Sequence, residues 1–482
     1  MLRRKILNVI GALLLLALVA GGIGWYKFFR VVPQPEFASE EEWFKYGSFG
    51  GEAKTGLPYW IWVVLPRVFP DLLPGPGGYA SLGVVWEPGA ELPVGFAKKT
   101  VGFPRVTQNC ALCHTASYRL NEAQPVPTIV AGAPAHTLDV QKLILFLTRA
   151  AADPRFNANT LLAEIEQNVH LSLFDRLAYR FAIIPLTRRA LVEQGRQFAW
   201  MTRPGTPAWG PGRDDAFNLP KYFLAHLPVD ASVGQVDFAA VWRLDRRKGD
   251  GRFLNWGGES PAVRSVLVDS SVAFGPRPGR AYEDTLARLD RFLSALAPPP
   301  WPYSSGEYAI RPGPAAAGRA IYARQCAECH DPAGSRFGQT IPLAEIGTDR
   351  ERAAVWSQAD ADAVNAAVRG EGYRRPDLVK QDGYLAGPLD GLWLRAPYLH
   401  NGSVPNLREL LEPGPNRSVI FYHGYDVLDP VNVGFVVQGA AAEQAGFRLD
   451  TRERGNGNGG HAYGTTLAPA EKDALLEFLK TL

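Results

Sequence analysis

Two short motifs constrain this chain more than any other feature. They are residues 110–114 (CALCH) and 326–330 (CAECH), and between them they contain all four cysteines of the 482-residue sequence. In a CxxCH motif the two thiols add to the vinyl groups of haem, and the adjacent histidine binds its iron. A zinc site would need further thiolates or imidazoles at close spacing, and neither motif has them nearby. The sequence therefore predicts two covalently bound haem c groups, held by Cys110, Cys113, His114, Cys326, Cys329 and His330.

The N-terminus predicts a membrane segment. A basic cluster at residues 3–5 precedes an apolar run at 6–24, which would span about 28 Å as a helix, close to the thickness of a bilayer core. Residues 25–29 (WYKFF) resemble an interfacial aromatic belt. The basic cluster favours a cytoplasmic N-terminus, which predicts a single-pass protein of the bacterial inner membrane with its haem domains in the periplasm. Cleavage of the segment as a signal peptide, followed by secretion, is the alternative.

Composition and proline placement predict the domain organisation. Residues 31–100 are rich in Pro, Gly, Trp and Tyr and predict an irregular wrapping segment. An N-terminal haem domain at 101–297, a proline-rich linker at 298–302 and a C-terminal cytochrome c domain at 303–482 follow. The expected fold class is mostly α, with two cytochrome c-like haem domains, long irregular loops and one N-terminal transmembrane helix. The formal net charge of +3, with scattered basic residues, does not indicate nucleic-acid binding.

Apolar spacing predicts helices within both haem domains. Residues 138–152, 161–184 and 188–201 have helical character, with Pro185 and Pro204 as expected breaks. A small-residue helix at 315–325 runs into the second motif, and an amphipathic helix at 467–482 closes the chain.

The second axial ligand of each iron is the open question. The chain has only two methionines, Met1 and Met201, so methionine ligation is improbable. Imidazole is the favoured ligand, and His461 and His400 lie in the most suggestive settings, a glycine-rich tract at 456–464 and the segment 396–405. His136 lies soon after the first motif, where it can contact the haem edge. His423 has no distinctive setting, and for His170 and His226 a structural or solvent-facing role is the simpler interpretation.

Several C-terminal segments resemble a known family. Residues 394–407 (LRAPYLHNGSVPNL) are similar to the dihaem cytochrome c peroxidase superfamily. Together with 421–425 (FYHGY), 430–435 (PVNVGF) and 460–464 (GHAYG), they look most like its rubber oxygenase A branch. The resemblance covers roughly residues 100–482 and implies a two-domain, mostly helical fold with two haems. It also implies a bis-histidine C-terminal haem, with His461 as the first candidate for the distal ligand and His400 as the second.

The resemblance further implies a tryptophan between the haems that relays electrons. Trp256 is the candidate and Trp242 the runner-up, although Gly257 replaces the aspartate usual after the relay tryptophan. Peroxidases of the superfamily carry a glutamate over the N-terminal haem, whereas the rubber oxygenase branch carries a phenylalanine, which here falls on Phe274. An apolar side chain cannot act as a general acid on peroxide, but it can line a dry pocket for dioxygen. Glu259 and Asp269 remain alternative acids.

These observations predict a dihaem oxidoreductase. Dioxygen or peroxide would react at the N-terminal haem, with an apolar organic molecule as a possible substrate, and the C-terminal haem would store or transfer electrons. The alternative is a membrane-tethered electron-transfer cytochrome without a catalytic haem, which exchanges electrons with a quinol-linked complex or another protein. In that case His136 or Met201 would close the first haem. A third interpretation, a maturase acting on a partner protein, rests on the family resemblance alone.

Overall fold

The N-terminal apolar segment forms one long helix, α1 (Leu2–Phe28), in the computed structural model, which describes residues 2–249 and 251–482. None of its most apolar stretch is buried against the rest of the protein. By length and composition α1 is either a membrane anchor or a signal sequence.

Helices make up 43% of the chain, so the expected mostly helical class is confirmed in its coarse form. After α1, the α-helices are α2 (Glu40–Tyr46), α3 (Glu52–Thr55), α4 (Tyr59–Val68), α5 (Val140–Ala152), α6 (Ala158–Ile165), α7 (Leu173–Ala178), α8 (Ile184–Gln197), α9 (Asn218–Phe223), α10 (Val263–Val272), α11 (Arg280–Ala295), α12 (Pro312–Gln325), α13 (Ala327–His330), α14 (Leu343–Ile346), α15 (Glu351–Ala354), α16 (Gln358–Gly370), α17 (Leu407–Leu410), α18 (Ala440–Ala445) and α19 (Pro469–Leu479).

The strands are short. In the described part of the chain they form one four-stranded sheet and five two-stranded ribbons. They are β1 (Val31–Val32), β2 (Leu57–Pro58), β3 (Phe96–Val101), β4 (Phe103–Gln108), β5 (Thr115–Tyr118), β6 (Thr128–Ala131), β7 (Arg213–Asp214), β8 (Val236–Asp237), β9 (Thr340–Pro342), β10 (Gly383–Leu385), β11 (Ile420–His423), β12 (Leu428–Asp429), β13 (Gly434–Phe435) and β14 (Phe447–Asp450).

One four-stranded antiparallel sheet, in the order β1-β3-β4-β2, connects α1 to the body of the protein. Val31 pairs with Val101 and Leu57 with Val106. The hairpin between β3 and β4 turns at Gly102, whose φ of +73° is a left-handed conformation that glycine adopts without strain. The hairpin crosses the boundary expected at residue 100/101, and residues 31–100 also contain α2, α3 and α4.

Three apolar clusters meet at the first CxxCH motif. Leu112 belongs to a cluster built mainly from α4, α5, α6 and α8. Cys110 and Ala111 belong to a second cluster, which includes α10, α11 and α16. Ala116 and Tyr118, just after the motif, pack into a third cluster with α12 and α19. The motif is therefore held by residues from both halves of the chain.

The third cluster shows that the expected N- and C-terminal parts share a core. Tyr118 packs edge-on against Trp393, with ring centres 5.4 Å apart. Trp301, in the expected proline-rich linker, is buried in the same cluster, and the carbonyl of Pro299 accepts a hydrogen bond from the Trp393 indole. The segment 298–302 is thus packed rather than free, because its tryptophan fills a core position.

The helix predictions are confirmed in part. The expected helices at 138–152, 315–325 and 467–482 correspond to α5, α12 and α19. Pro185 does not interrupt the helical run, so the helix break predicted there was wrong. It occupies the first turn of α8, which follows α7 through a π-helical turn at Tyr179–Ile183. A proline is tolerated there because the wider π turn already interrupts the regular hydrogen-bond pattern.

Candidate functional site

The first motif lies in a short turn that a buried asparagine holds in place. Residues Cys110–Leu112 form one 3-10 turn, and the Asn109 side chain accepts a hydrogen bond from the Ala111 amide at 2.9 Å. The Asn109 amide group also donates to the carbonyls of Lys45 and Gly47. This anchoring keeps both thiols on one turn, as addition to the two vinyl groups of one haem requires.

The second motif follows directly from α12. Cys326 ends that helix, and α13 carries the rest of the motif, with the His330 amide donating to the Cys326 carbonyl at 3.0 Å. The crossing of α12 over α19 brings Gly318 against the Ala474 carbonyl, where a β-carbon would lie only 2.0 Å away. No disulfide joins the motif cysteines in the described structure, and burial raises the pKa of the Cys110 thiol and of the Cys326 thiol to about 12.

Both motif histidines have the same hydrogen-bond arrangement. Nδ1 of His114 lies 2.8 Å from the Ala239 carbonyl oxygen, and Nδ1 of His330 lies 2.8 Å from the Gly387 carbonyl oxygen. A carbonyl can only accept, so Nδ1 carries the proton and Nε2 presents its lone pair. Burial lowers the pKa of His114 to about 4 and also lowers the pKa of His330. Both rings are therefore neutral, the form that binds iron.

The structure brings His461 opposite His330. Their ring centres are 6.3 Å apart. Two metal–nitrogen bonds of about 2 Å each, with ~1.1 Å from each nitrogen to its ring centre, would separate two axial imidazoles by about 6 Å. The pKa of His461 is lowered to about 3, mainly by burial and further by the neighbouring His330. The donor set and its spacing fit a haem with two axial imidazoles at the second motif.

A glycine controls where His461 lies. Gly460 has a φ of +75°, and a β-carbon there would lie 2.3 Å from backbone atoms of Gly347 and Thr348. The His461 amide donates to the Ile346 carbonyl at 2.7 Å, so the glycine-rich tract packs directly on the end of α14. This close approach explains the glycine that directly precedes the histidine.

His400, the second candidate ligand, lies elsewhere. Its ring stacks on Tyr384 with centres 3.8 Å apart, and its Nε2 is buried without a hydrogen-bond partner in the described structure. Its backbone carbonyl accepts from the Asp237 amide. His400 therefore does not share with His461 the position opposite His330.

Trp256 lies near the second motif and bonds the short segment 237–239, which also orients the histidine of the first motif. It packs with Cys329 in a small apolar cluster. Its indole N–H donates to the Asp237 carbonyl at 2.7 Å, two residues before the Ala239 carbonyl that accepts from His114. Trp242, the runner-up, is fully buried in the third apolar cluster and donates to the Ala131 carbonyl.

Phe274 lies at the edge of the apolar cluster that contains Cys110. Its ring is 6.3 Å from that of Phe49, and its carbonyl accepts from the Thr55 hydroxyl. The alternative acids are both paired with arginine. Glu259 forms a doubly hydrogen-bonded ion pair with Arg352, whereas Asp269 bonds Arg375 and has its pKa raised to about 6 by burial.

Met201 and the histidines at positions 136, 170 and 226 have surroundings unlike those of His461. Met201 packs in an aromatic cluster with Trp200 and Trp209. His136 is 1% exposed and stacks on Phe435 with ring centres 3.8 Å apart, and neither of its ring nitrogens has a partner among the described residues. His170 and His226 are exposed, as expected.

Sequence reasoning missed two titratable groups near the first motif. His423 was expected to have an ordinary setting, but it is 3% exposed and lies with His136 against Gly212. Asp214 lies close enough to Cys113 to influence that thiol, and burial, together with Asp215, raises the pKa of Asp214 to about 7. Neither residue belongs to a motif, so only the folded arrangement identifies them.

Comparisons with known proteins agree with a cytochrome c of this kind. Residues 383–422 match the family described as RoxA-like, cytochrome c-like. This range contains Gly387, whose carbonyl orients His330, and also His400. The match supports a covalently bound haem c.

Two curated relatives come from Sinorhizobium fredii (strain NBRC 101917 / NGR234), and both are described as uncharacterised. The chain is 29% identical to protein y4iJ over 84% of its own length and 82% of that protein. It is 32% identical to protein y4iM over 53% of its own length and 66% of that protein. The similarity to y4iJ extends across most of both chains.

Proposed function

We propose that this protein is a membrane-anchored, periplasm-facing dihaem c-type cytochrome that acts as an oxidoreductase. The observation that carries the proposal is the difference between the two motifs. His461 lies opposite His330 at a distance suited to two axial imidazoles. In the described part of the chain no ring pairs with His114 in the same way, which supports one closed and one open iron.

The surroundings of the first motif support chemistry on dioxygen, or on peroxide, at the N-terminal haem. The haem would supply reversible iron redox chemistry and an open coordination position. His114 would hold the iron, while Phe274 and the apolar cluster around Cys110 would exclude water. Asp214, whose pKa burial raises to about 7, would be a group near Cys113 able to hold or release a proton at neutral pH. An apolar organic molecule fits such surroundings as the second substrate.

Electrons would pass between the haems by way of Trp256. Its ring and Cys329 pack against the same small apolar cluster, and its indole bonds the short 237–239 segment that also orients His114. The proposed path between the two motifs therefore consists of the Trp256 side chain and the backbone of residues 237–239. A Trp256→Phe variant is expected to slow electron transfer between the haems while both haem spectra stay unchanged. Trp242→Phe, which also replaces a buried indole, should leave the rate unchanged.

Carbon monoxide binding to the reduced, haem-loaded full chain tests the proposal. One CO per chain, with half of the haem absorbance shifted, is expected. No shift would mean two closed irons and would favour the alternative, an electron-transfer cytochrome. A shift of both haems would contradict the assignment of His461 as a ligand. An unchanged rate of electron transfer between the haems in Trp256→Phe would refute the relay role of Trp256 but not the proposed oxidoreductase function.

A further inference from the structure

The helical run formed by α7, the π turn and α8 exposes an unusual set of apolar side chains. After residue 32, the described structure has ten exposed large apolar side chains, and five of them lie within residues 173–186. Leu173 and Phe181 are each 73% exposed and Leu186 is 62% exposed. The other five are scattered singly along the chain, as is normal for soluble surfaces. A concentration of this kind marks a surface that something covers.

These side chains share one face of the run. Leu173, Leu177 and Phe181 are four residues apart, which places them on one side of a helix. Tyr179 and Ile183, between and after them, are buried in the apolar cluster of α4, α5, α6 and α8. The run therefore presents one apolar face to the core and a second one outward, and only the first is covered by protein.

The exposed face adjoins the end of α1. The Lys27 ammonium forms an ion pair with Asp175 at 2.8 Å and lies 5.7 Å from the centre of the Phe174 ring. Trp25 is 62% exposed, beside this contact. Aromatic and lysine side chains at the end of an apolar helix mark the level of the membrane surface. Phe174 thus lies at the level where α1 would leave the bilayer.

The contact is fixed by the fold. Val31 and Val32 pair with β3, and the Gly102 amide donates to the Arg30 carbonyl at 2.7 Å. A β-carbon on Gly102 would lie 2.3 Å from the backbone of Phe28, so the chain is closely packed where α1 ends. The end of α1 is therefore held against the β3–β4 hairpin, and the Lys27–Asp175 ion pair joins it to α7.

The charges beside the face suit a lipid surface. Arg176, Arg180 and Arg189 are exposed on the same helical run. Basic residues that flank an exposed apolar face are typical of helices that lie in the membrane interface, where they meet lipid phosphates. We propose that residues 173–189 lie in the bilayer interface and form a second membrane contact beside α1. This contact is separate from α1, although it agrees with the anchoring role proposed above.

Photo-crosslinking of the full chain in vesicles of phosphatidylethanolamine and phosphatidylglycerol tests this. Three single variants replace Phe181, Leu14 or Val431 with p-benzoylphenylalanine. Val431 is the matched control because it is an exposed apolar side chain, 55% accessible, remote in sequence from α1. Each variant is used only if its haem spectrum matches that of the unmodified protein. We expect lipid adducts at positions 181 and 14, with only background labelling at 431.

The outcomes separate this inference from the proposed anchor. Labelling at 14 without labelling at 181 would overturn the second contact and leave the anchor intact. Labelling at 181 without labelling at 14 would support the second contact and contradict the proposal that α1 is a membrane anchor. Adducts at 181 that contain protein instead of lipid would overturn the inference, because a protein would then cover the face.

Discussion

Replacing His461 tests the central feature of the site. The 6.3 Å between the ring centres of His330 and His461 matches the sum for two imidazoles on one metal ion, about 6 Å. Removing the second imidazole should open one coordination position at the second haem. The number of CO molecules bound per chain should then rise by one, whatever the state of the first haem. With an open first haem, the total changes from one to two.

Two variants of His461 separate the loss of the imidazole from an effect on folding. His461 has a φ of 46°, and a left-handed backbone costs about 1–2 kcal/mol in any residue but glycine. His461→Gly therefore removes the imidazole without this backbone penalty, whereas His461→Ala keeps it. Both should give the same CO stoichiometry, and His461→Gly should be at least as stable as His461→Ala.

The assay is a CO titration of the reduced, haem-loaded chain, followed by visible spectra. His400→Ala is the matched control, since His400 is also a buried histidine but stacks on Tyr384. It should bind the same amount of CO as the unmodified protein. An unchanged stoichiometry in His461→Gly would refute the reasoning, and a gain in His400→Ala would transfer the ligand role to His400.

Three further predictions follow from the geometry. Gly460→Ala should mimic His461→Ala in CO binding because its methyl group would lie 2.3 Å from neighbouring backbone atoms, whereas Gly459→Ala, with its nearest contact at 4.0 Å, should bind CO like the unmodified protein. Glu259→Gln leaves the Arg352 guanidinium buried without its counter-charge and should lower the free energy of unfolding by about 3 kcal/mol in a denaturant titration; no measurable loss would contradict the buried ion pair. Burial lowers the pKa of His136 to about 4, so its neutral ring contributes stability above pH ~6.5 that is lost as the pH falls toward ~4, by about 3 kcal/mol in total. His136→Phe keeps the stacked ring and should move acid unfolding, followed by circular dichroism, to lower pH; an unmoved or higher midpoint would contradict this.

Local patterns in the sequence predicted those parts of the fold that depend on neighbouring residues. The helices α5, α12 and α19 follow from apolar spacing, because a helix buries one face at a period that can be recognised along the chain. The expected break at Pro185 failed for a related reason. Proline is incompatible with a helix interior only where its missing N–H is needed, and the π turn before α8 removes that need.

The domain boundaries were less predictable. The hairpin of β3 and β4 crosses residue 100, and Tyr118 and Trp301 pack in the same cluster as α12 and α19. Apolar side chains far apart in the sequence carry no mark of which cluster they will join. Composition therefore suggested separate segments where the structure has a shared core.

The sequence by itself determined the chemistry that requires adjacent residues. Both CxxCH motifs and the apolar run of α1 depend on short spacing, since one turn must present two thiols and one helix must match a bilayer. It also singled out His461 through its glycines and through family resemblance.

Only the tertiary structure decided which residues face each other. It brought His461 opposite His330 across 131 residues of sequence. It also gave the indole of Trp256 and the ring of His114 hydrogen bonds to the short segment 237–239, and it placed Asp214 near Cys113. It also left one apolar face of α7 and α8 uncovered beside α1. Such relations depend on long-range packing, whose free energy is spread over many weak contacts and leaves no local pattern.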